Sequence, residues 1–250
     1  MLLSADNLAD YKIEAIDGSI GKIECFLFDE RNWAVRYVVV DVGTWLTGRK
    51  VLLVPSALDR PETLLRVFSV KLTQQQIKKS PDIDTDQSVS RYQEIELHKY
   101  YDWQTYWEIS SQPTLFPPGA FVPTTGWQHA EGKGKTKEEP QSYLRSTKEI
   151  AGYRIHASDG PIGHVEDFII DTGKWLIQYL VADTRKWMAD RKVIIPPDWI
   201  TSISWEASEV VVDVTKEKIK NSPEFDPTTP VNREYEIRLY DYYGRPKYWP

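Results

Sequence analysis

Carboxylates recur at matched places along this chain. Asp17, Asp29 and Asp41 have counterparts at Asp159, Asp171 and Asp183, and Glu24 has one at Glu166. Paired carboxylates do acid–base work only where burial or mutual repulsion pulls their pKa values apart. Each of these aspartates adjoins a turn or a strand end, where the side chain commonly accepts from backbone amides, so they read as caps. Glu24 and Glu166 lie within strand-like runs in both places. They are the candidates for proton handling, set against the commoner case of an outward-facing strand glutamate. The four histidines, His98, His129, His156 and His164, are scattered and form no set of convergent donors of the kind zinc needs, so no metal site is expected. The single cysteine, Cys25, excludes an intrachain disulfide and an all-cysteine metal site. Its apolar surroundings suit a small hydrophobe better than a nucleophile. With neither a phosphate loop nor a nucleotide fingerprint, no cofactor is expected.

Aromatic and basic residues carry a second kind of chemistry. Trp45 stands beside Arg49, and Trp187 beside Arg191. A tryptophan with an arginine is a frequent anchor for a protein partner, and these four are the interaction candidates. Tyr and Trp also concentrate at Tyr100, Tyr101, Trp103, Tyr106 and Trp107, and at Tyr240, Tyr242, Tyr243, Tyr248 and Trp249. Such tails would wrap their own or the neighbouring domain and close its core. Aromatics beside basic residues can also stack on single-stranded nucleic acid. The formal charge of −6, from 37 acidic against 31 basic residues with no long run of either sign, weighs against that partner and against anionic membrane.

The elements that must position these residues come in two sets. Tyr11 to Trp107 aligns without a gap on Tyr153 to Trp249, displaced by 142 residues, with 35 identities in 97 positions. A tandem duplication settles the organisation first: repeat one with its tail over 1–108, a Pro/Gly/Lys-rich linker over 109–142, and repeat two with its tail over 143–250. The second half of the linker has too little apolar surface to offset the entropy of ordering it. In each copy Asp-Gly (Asp17-Gly18, Asp159-Gly160) between alternating runs predicts a hairpin, because glycine reaches positive φ without steric cost. A strand follows over 33–42, buried where three valines succeed one another, then a strand from Lys50 ended by Pro55. Copy two shows two further strands, over 200–205 and 210–214; copy one shows one, over 64–70. Five or six short strands at close spacing suggest a small closed or nearly closed barrel. Thr73-Gln-Gln-Gln76 is a capping box opening a short helix, repeated from Thr215 without the reciprocal glutamine. A second helix is expected from Ser90 and from Asn232, through Tyr101 and Tyr243, although Ile95 with Leu97 would also suit a strand.

Taken in order, Asp17, Gly18, Ile20, Gly21, Glu24, Phe26, Asp29, Tyr37, Val39, Asp41, Trp45, Arg49, Lys50, Val51 and Pro55 all return 142 residues later. The pattern resembles the PRC-barrel family, the small β-barrel of the photosynthetic reaction centre H subunit and of a ribosome-maturation factor. The resemblance covers roughly residues 5–80 and 147–222. It implies a mainly β fold, two PRC-type barrels each followed by short helices and an aromatic tail, and a habit of binding protein partners. It carries no catalytic residues over to this chain. The H subunit's membrane helix has no counterpart here: no segment approaches the roughly 20 apolar residues of a span. No secretory signal is visible, and the expected setting is soluble and cytoplasmic. The expected function is a non-enzymatic interaction or assembly module for an unidentified protein partner, with self-association possible. The alternatives are a small-molecule or proton-handling role at a cleft between the copies, and help in RNA or ribosome assembly.

Overall fold

The computed structural model describes residues 1–9, 11–43, 49–83, 88–109, 142–184 and 192–249. The first copy runs β1 (Leu2–Ser4), α1 (Ala5–Ala9), β2 (Lys12–Ala15), β3 (Gly18–Asp29), β4 (Val35–Asp41), β5 (Lys50–Leu53), β6 (Val67–Ser69), α2 (Gln74–Lys78), α3 (Arg91–Tyr101) and α4 (Tyr106–Ile109). The second runs β7 (Leu144–Ser146), α5 (Thr147–Ile150), β8 (Arg154–Ala157), β9 (Gly160–Asp171), β10 (Leu176–Asp183), β11 (Lys192–Ile195), β12 (Ile200–Ser204), β13 (Glu209–Val212), α6 (Lys216–Lys220) and α7 (Arg233–Tyr243). The fold is mainly β, two sheets with short helices. Nearly all of the expected linker, 110–141, lies outside the described residues.

The first sheet is hydrogen-bonded in the order β5-β4-β3-β2-β6, and the second in the order β11-β10-β9-β8-β13-β12. Among the described residues no ladder joins the end strands of either sheet. The long strands β3 and β9 bend each sheet: Gly18 to Lys22 serves β2, and Lys22 to Phe28 serves β4, with register shifts between Ile23 and Cys25 and between Leu27 and Phe28. Gly21 and Gly163 sit at the bend. A Cβ on either would lie 2.0 Å from the Asp41 carbonyl oxygen or 1.9 Å from that of Asp183, so the Ile-Gly pair records a close backbone approach.

The valine run of β4 is buried because it has cores on both faces. Val38 and Val40 face the main core, while Tyr37 and Val39 face a smaller one with Leu52, Ile83, Val89 and Leu97. A valine so enclosed contributes about 1.5–3 kcal/mol relative to an exposed one. The expected helices form. Thr73 and Ser90 each accept from the amide three residues on and donate their own amide to the glutamine side chain there, whereas Thr215 and Asn232 accept without a reciprocal bond. The strand alternative for 95–97 fails because Ile95 is exposed while Leu97 is buried, which helical spacing produces and alternation does not. The copy-one strand expected over 64–70 shortens to β6, since Glu62 and Val67 exchange two bonds (2.8 and 3.3 Å) around a turn with Arg66 at φ 54°.

The two copies are interlocked. β1, at the start of the first copy, does not join its own sheet; it pairs with β9 of the second, Leu2 opposite Asp171 and Ser4 opposite Ile169. β7, at the start of the second copy, pairs with β3 of the first, Leu144 opposite Asp29 and Ser146 opposite Leu27. The two registers are related by the repeat offset, so the exchange is reciprocal about a pseudo-twofold axis. Symmetric bonds reinforce it: the Val35 amide donates to the Trp175 carbonyl (2.8 Å) and the Ile177 amide to the Trp33 carbonyl (2.9 Å). Both tryptophans hold positive φ, 60° and 52°, at the turns that bring those carbonyls across. One buried cluster runs through both copies, with Phe28 against Phe168 (6.2 Å) and Trp175 against both Phe26 and Phe68 (6.5 and 5.8 Å).

Candidate functional site

The pseudo-twofold axis passes a cleft of about 240 Å³ whose lining comes in repeat-related pairs: Ala5 with Thr147, Asp6 with Lys148, Ala9 with Ala151, Glu24 with Glu166, Cys25 with Asp167, and Phe26 with Phe168. β3 and β9 supply the central three pairs; α1, and α5 with its C-cap Ala151, carried across by the exchanged arms, supply the others. Glu24 and Glu166, picked from the sequence for their place inside strands, are thus brought into one site. Glu24 Oε1 meets the ammonium groups of Lys148 (2.7 Å) and Lys50 (3.1 Å), and Glu166 Oε1 that of Lys192 (2.8 Å). The second oxygen of each, Oε2, is shielded from solvent and without a hydrogen-bond partner among the described residues.

Three pairs break the symmetry, the first being Thr147 where the other arm has Ala5. Lys148 stands where the other arm has Asp6, and Asp167 where the other strand has Cys25. Asp167 Oδ1 accepts from the amides of Phe168 (2.7 Å) and Asp6 (3.2 Å). Burial is the largest influence on this carboxyl and the Asp6 charge adds to it; together they outweigh the two amides and the Ser4 hydroxyl, leaving its pKa raised to about 7. Cys25 in the matching position receives the Ser146 hydroxyl at 3.6 Å, and burial pushes its thiol up. The amide of Phe26 beside it donates to Thr147 Oγ1 (3.2 Å). Asp167 was not among the sequence candidates. The signal available was the loss of identity at one position inside an otherwise matched strand pair.

The aromatic tails close their own copies. Glu94, fully buried on α3, accepts from Tyr37 (3.0 Å), Tyr106 (2.6 Å) and Ser142 (3.0 Å) and pairs with Arg91 (2.9 Å). Glu236 on α7 does the same with Tyr179 (2.6 Å), Tyr248 (2.6 Å) and Arg233 (2.9 Å). Arg91 and Arg233 lie over Trp107 and Trp249 at 4.4 and 4.1 Å. Burial pushes the Glu94 carboxyl up against these partners, and burial followed by the Glu94 charge pushes Tyr37 up. The copies differ at His98, whose Nε2 lies 2.8 Å from the Tyr37 hydroxyl and whose counterpart is Tyr240. These networks were legible only as a repeated Arg-x-x-Glu, Arg91/Glu94 and Arg233/Glu236.

Of the four interaction candidates, Trp45, Trp187 and Arg191 lie outside the described residues. Arg49 is described, and its guanidinium donates to the carbonyls of Lys78, Ser80 and Pro81 at the end of α2 and pairs with Asp82 at 3.0 Å. The hairpin aspartates act as caps: Asp17 Oδ1 accepts from the Gln74 amide and Asp159 Oδ1 from that of Lys216, both at 2.8 Å, tying each hairpin to the helix after the sheet. Among the described residues no three His, Cys, Asp or Glu side chains are grouped to hold a metal, and no helix is long and apolar enough to cross a membrane. One surface feature differs between the copies. Leu64 and Leu65, 97% and 65% exposed, form the tip of the turn before β6, where copy two has Glu206 and Ala207.

No curated protein matches the chain. From the first residue of α5 to Ile219 within α6, residues 147–219, the chain matches the family model of the PRC-barrel domain.

Proposed function

We propose that the chain is a non-enzymatic interaction and assembly module of the PRC-barrel kind, in which two copies act as one body. The reciprocal arm exchange carries this reading. Each sheet is completed by a strand from the other copy, so the copies are held at one spacing instead of being tethered by a flexible linker. A body of that kind presents copy-specific surface in a fixed geometry, which reduces the entropy lost on docking. The Leu64–Leu65 tip is the best-placed contact. It is apolar, projects from a turn held by two backbone bonds and by Arg66 to Asn7 (2.9 Å), and exists in one copy only. The test is affinity capture of the full chain from its native cells, comparing wild type with Leu64→Ser/Leu65→Ser. A partner retained by wild type and depleted about tenfold with the variant, a loss of about 1.4 kcal/mol, at unchanged melting temperature, is expected. Equal recovery by both counts against the tip as the contact.

Small-molecule or proton handling in the cleft is a second reading, supported by Glu24, Glu166 and Asp167 lining one space. Carboxyl-carbon NMR titration tests it: an Asp167 carboxyl with an ordinary value removes its support.

A further inference from the structure

The two exchanged arms are held by different chemistry. The arm β7–α5 rests on uncharged or internally balanced contacts: Ser146 on Cys25, the Phe26 amide on Thr147, and Lys148 on Glu24. The arm β1–α1 is held at its start by the Met1 ammonium on Asp171 (3.2 Å), on α1 by Arg66 on Asn7 (2.9 Å), and between them by a carboxyl beneath the arm. Asp167 accepts the amide of Asp6 in the first turn of α1 and bonds the side chain of Ser4 at the end of β1, so one side chain grips both elements of the arm. Leu3, Ala5 and Leu8 of the arm are buried against the shared core.

We propose that this N-terminal arm is a proton-controlled clasp, docked firmly on the second sheet while Asp167 is neutral and loosened when Asp167 ionises. The clasp rests on Asp167 being the group that titrates in the cleft, the second reading above. The surroundings of Asp167 set the direction. On its own strand stands Glu166, paired with Lys192 from β11; α1 contributes Asp6; β3 contributes Glu24 and Cys25; α5 contributes Lys148, which Glu24 already engages. β1 offers no charged side chain to it, and the strand partner of Asp167 on β10 is Val181. Among the described residues no ammonium is paired with Asp167 itself. Its ionised form has two amides and a hydroxyl as donors but sits in a half-buried place, partly stripped of water, beside the Asp6 carboxylate. Undocking the arm would return it to water.

The sign follows from linkage. Asp167 carries its proton to higher pH when the arm is docked than when it is released, so released arm gains as pH rises from the ordinary carboxylate range to the raised value. Above that both forms are ionised and the population levels off. Release would take away one wall of the cleft, formed by Ala5, Asp6 and Ala9, and bare the backbone edge of β9 from Ile169 to Asp171.

Hydrogen exchange on the full chain tests the clasp, with protection factors corrected for the intrinsic pH dependence of amide exchange. Between about pH 4 and 7, protection of residues 1–9 is expected to fall by up to tenfold per pH unit and then level off, while residues 142–151 stay flat. Asp167→Asn, which keeps an acceptor oxygen, should abolish the slope. Asp167→Cys, which installs the residue of the matching position in the other copy, should do likewise and serves if the Asn variant does not fold. An unchanged slope in either variant, or equal slopes in both arms, overturns the proposal. Carboxyl-carbon NMR of Asp167 separates the two ideas: a raised value with flat protection defeats the clasp alone, and an ordinary value defeats it together with the proton-handling reading.

Discussion

Replacing Gly21 by alanine probes the bend on which the first sheet depends. The added Cβ would lie 2.0 Å from the Asp41 carbonyl oxygen, 2.8 Å from its carbonyl carbon and 2.9 Å from Val42 Cα, all backbone atoms, and real Cβ contacts essentially never fall below 3.0 Å. No flexible side chain can yield, so β3 and the end of β4 must separate by roughly an ångström. Overpacking costs about 1–3 kcal/mol, and losing two ladder bonds near Lys22 and Asp41 adds roughly 1 kcal/mol each. The total is about 3–5 kcal/mol. For a cooperative unit of this size that lowers Tm by on the order of 10 °C. Gly244→Ala is the control. Gly244 has φ +65° and nothing within 4 Å of a Cβ, so only the left-handed backbone is penalised, by about 1–2 kcal/mol. Urea and thermal unfolding of both variants give the comparison. If Gly21→Ala costs no more than Gly244→Ala, the close approach of β3 to β4 is not what excludes a side chain there.

Tyr179→Phe removes a buried bond to the Glu236 carboxylate (2.6 Å) while Tyr248 and Arg233 remain on it; urea unfolding should show a loss of about 1.5–3 kcal/mol. The two caps should separate in size. Thr73→Ala breaks a reciprocal box and should cost about 1–1.5 kcal/mol, whereas Thr215→Ala removes one bond and should cost nearer to about 0.5 kcal/mol by the same measurement. Burial acts to raise the carboxyl of Asp29, but hydrogen bonds from Arg31 and the charges of Arg31 and Arg36 outweigh it and hold it below the usual range. Its contribution is therefore complete above the unfolded value of about 4 and is lost as pH falls through the folded one. Wild type should lose more stability than Asp29→Asn between roughly pH 4 and 2, as read by denaturant titration at each pH.

Much of the fold was written locally. Asp17-Gly18 and Asp159-Gly160 make their hairpins because the turn needs glycine's backbone freedom. Thr73 and Ser90 start helices because a hydroxyl and a glutamine three residues later satisfy the free amides at hand. The duplication was visible as identity at a fixed offset, and with it the likeness of the two sheets. Even Gly21 and Gly163 stood out, although the reason, a carbonyl from the next strand, was not in their neighbourhood.

What the tertiary structure decided was who completes whom. Leu2-Leu3-Ser4 would satisfy its backbone groups on either long strand, since β3 and β9 offer the same edge; nothing local to three residues distinguishes them. The choice falls to Trp33 and Trp175, whose carbonyls bond across the axis, and to Phe28 packing on Phe168. That crossing creates the cleft, brings Glu24 and Glu166 together, and half-buries Asp167 beneath the arm. A carboxyl in a strand has no unusual chemistry until something from elsewhere in the chain removes its water, and only the folded backbone determines what that is.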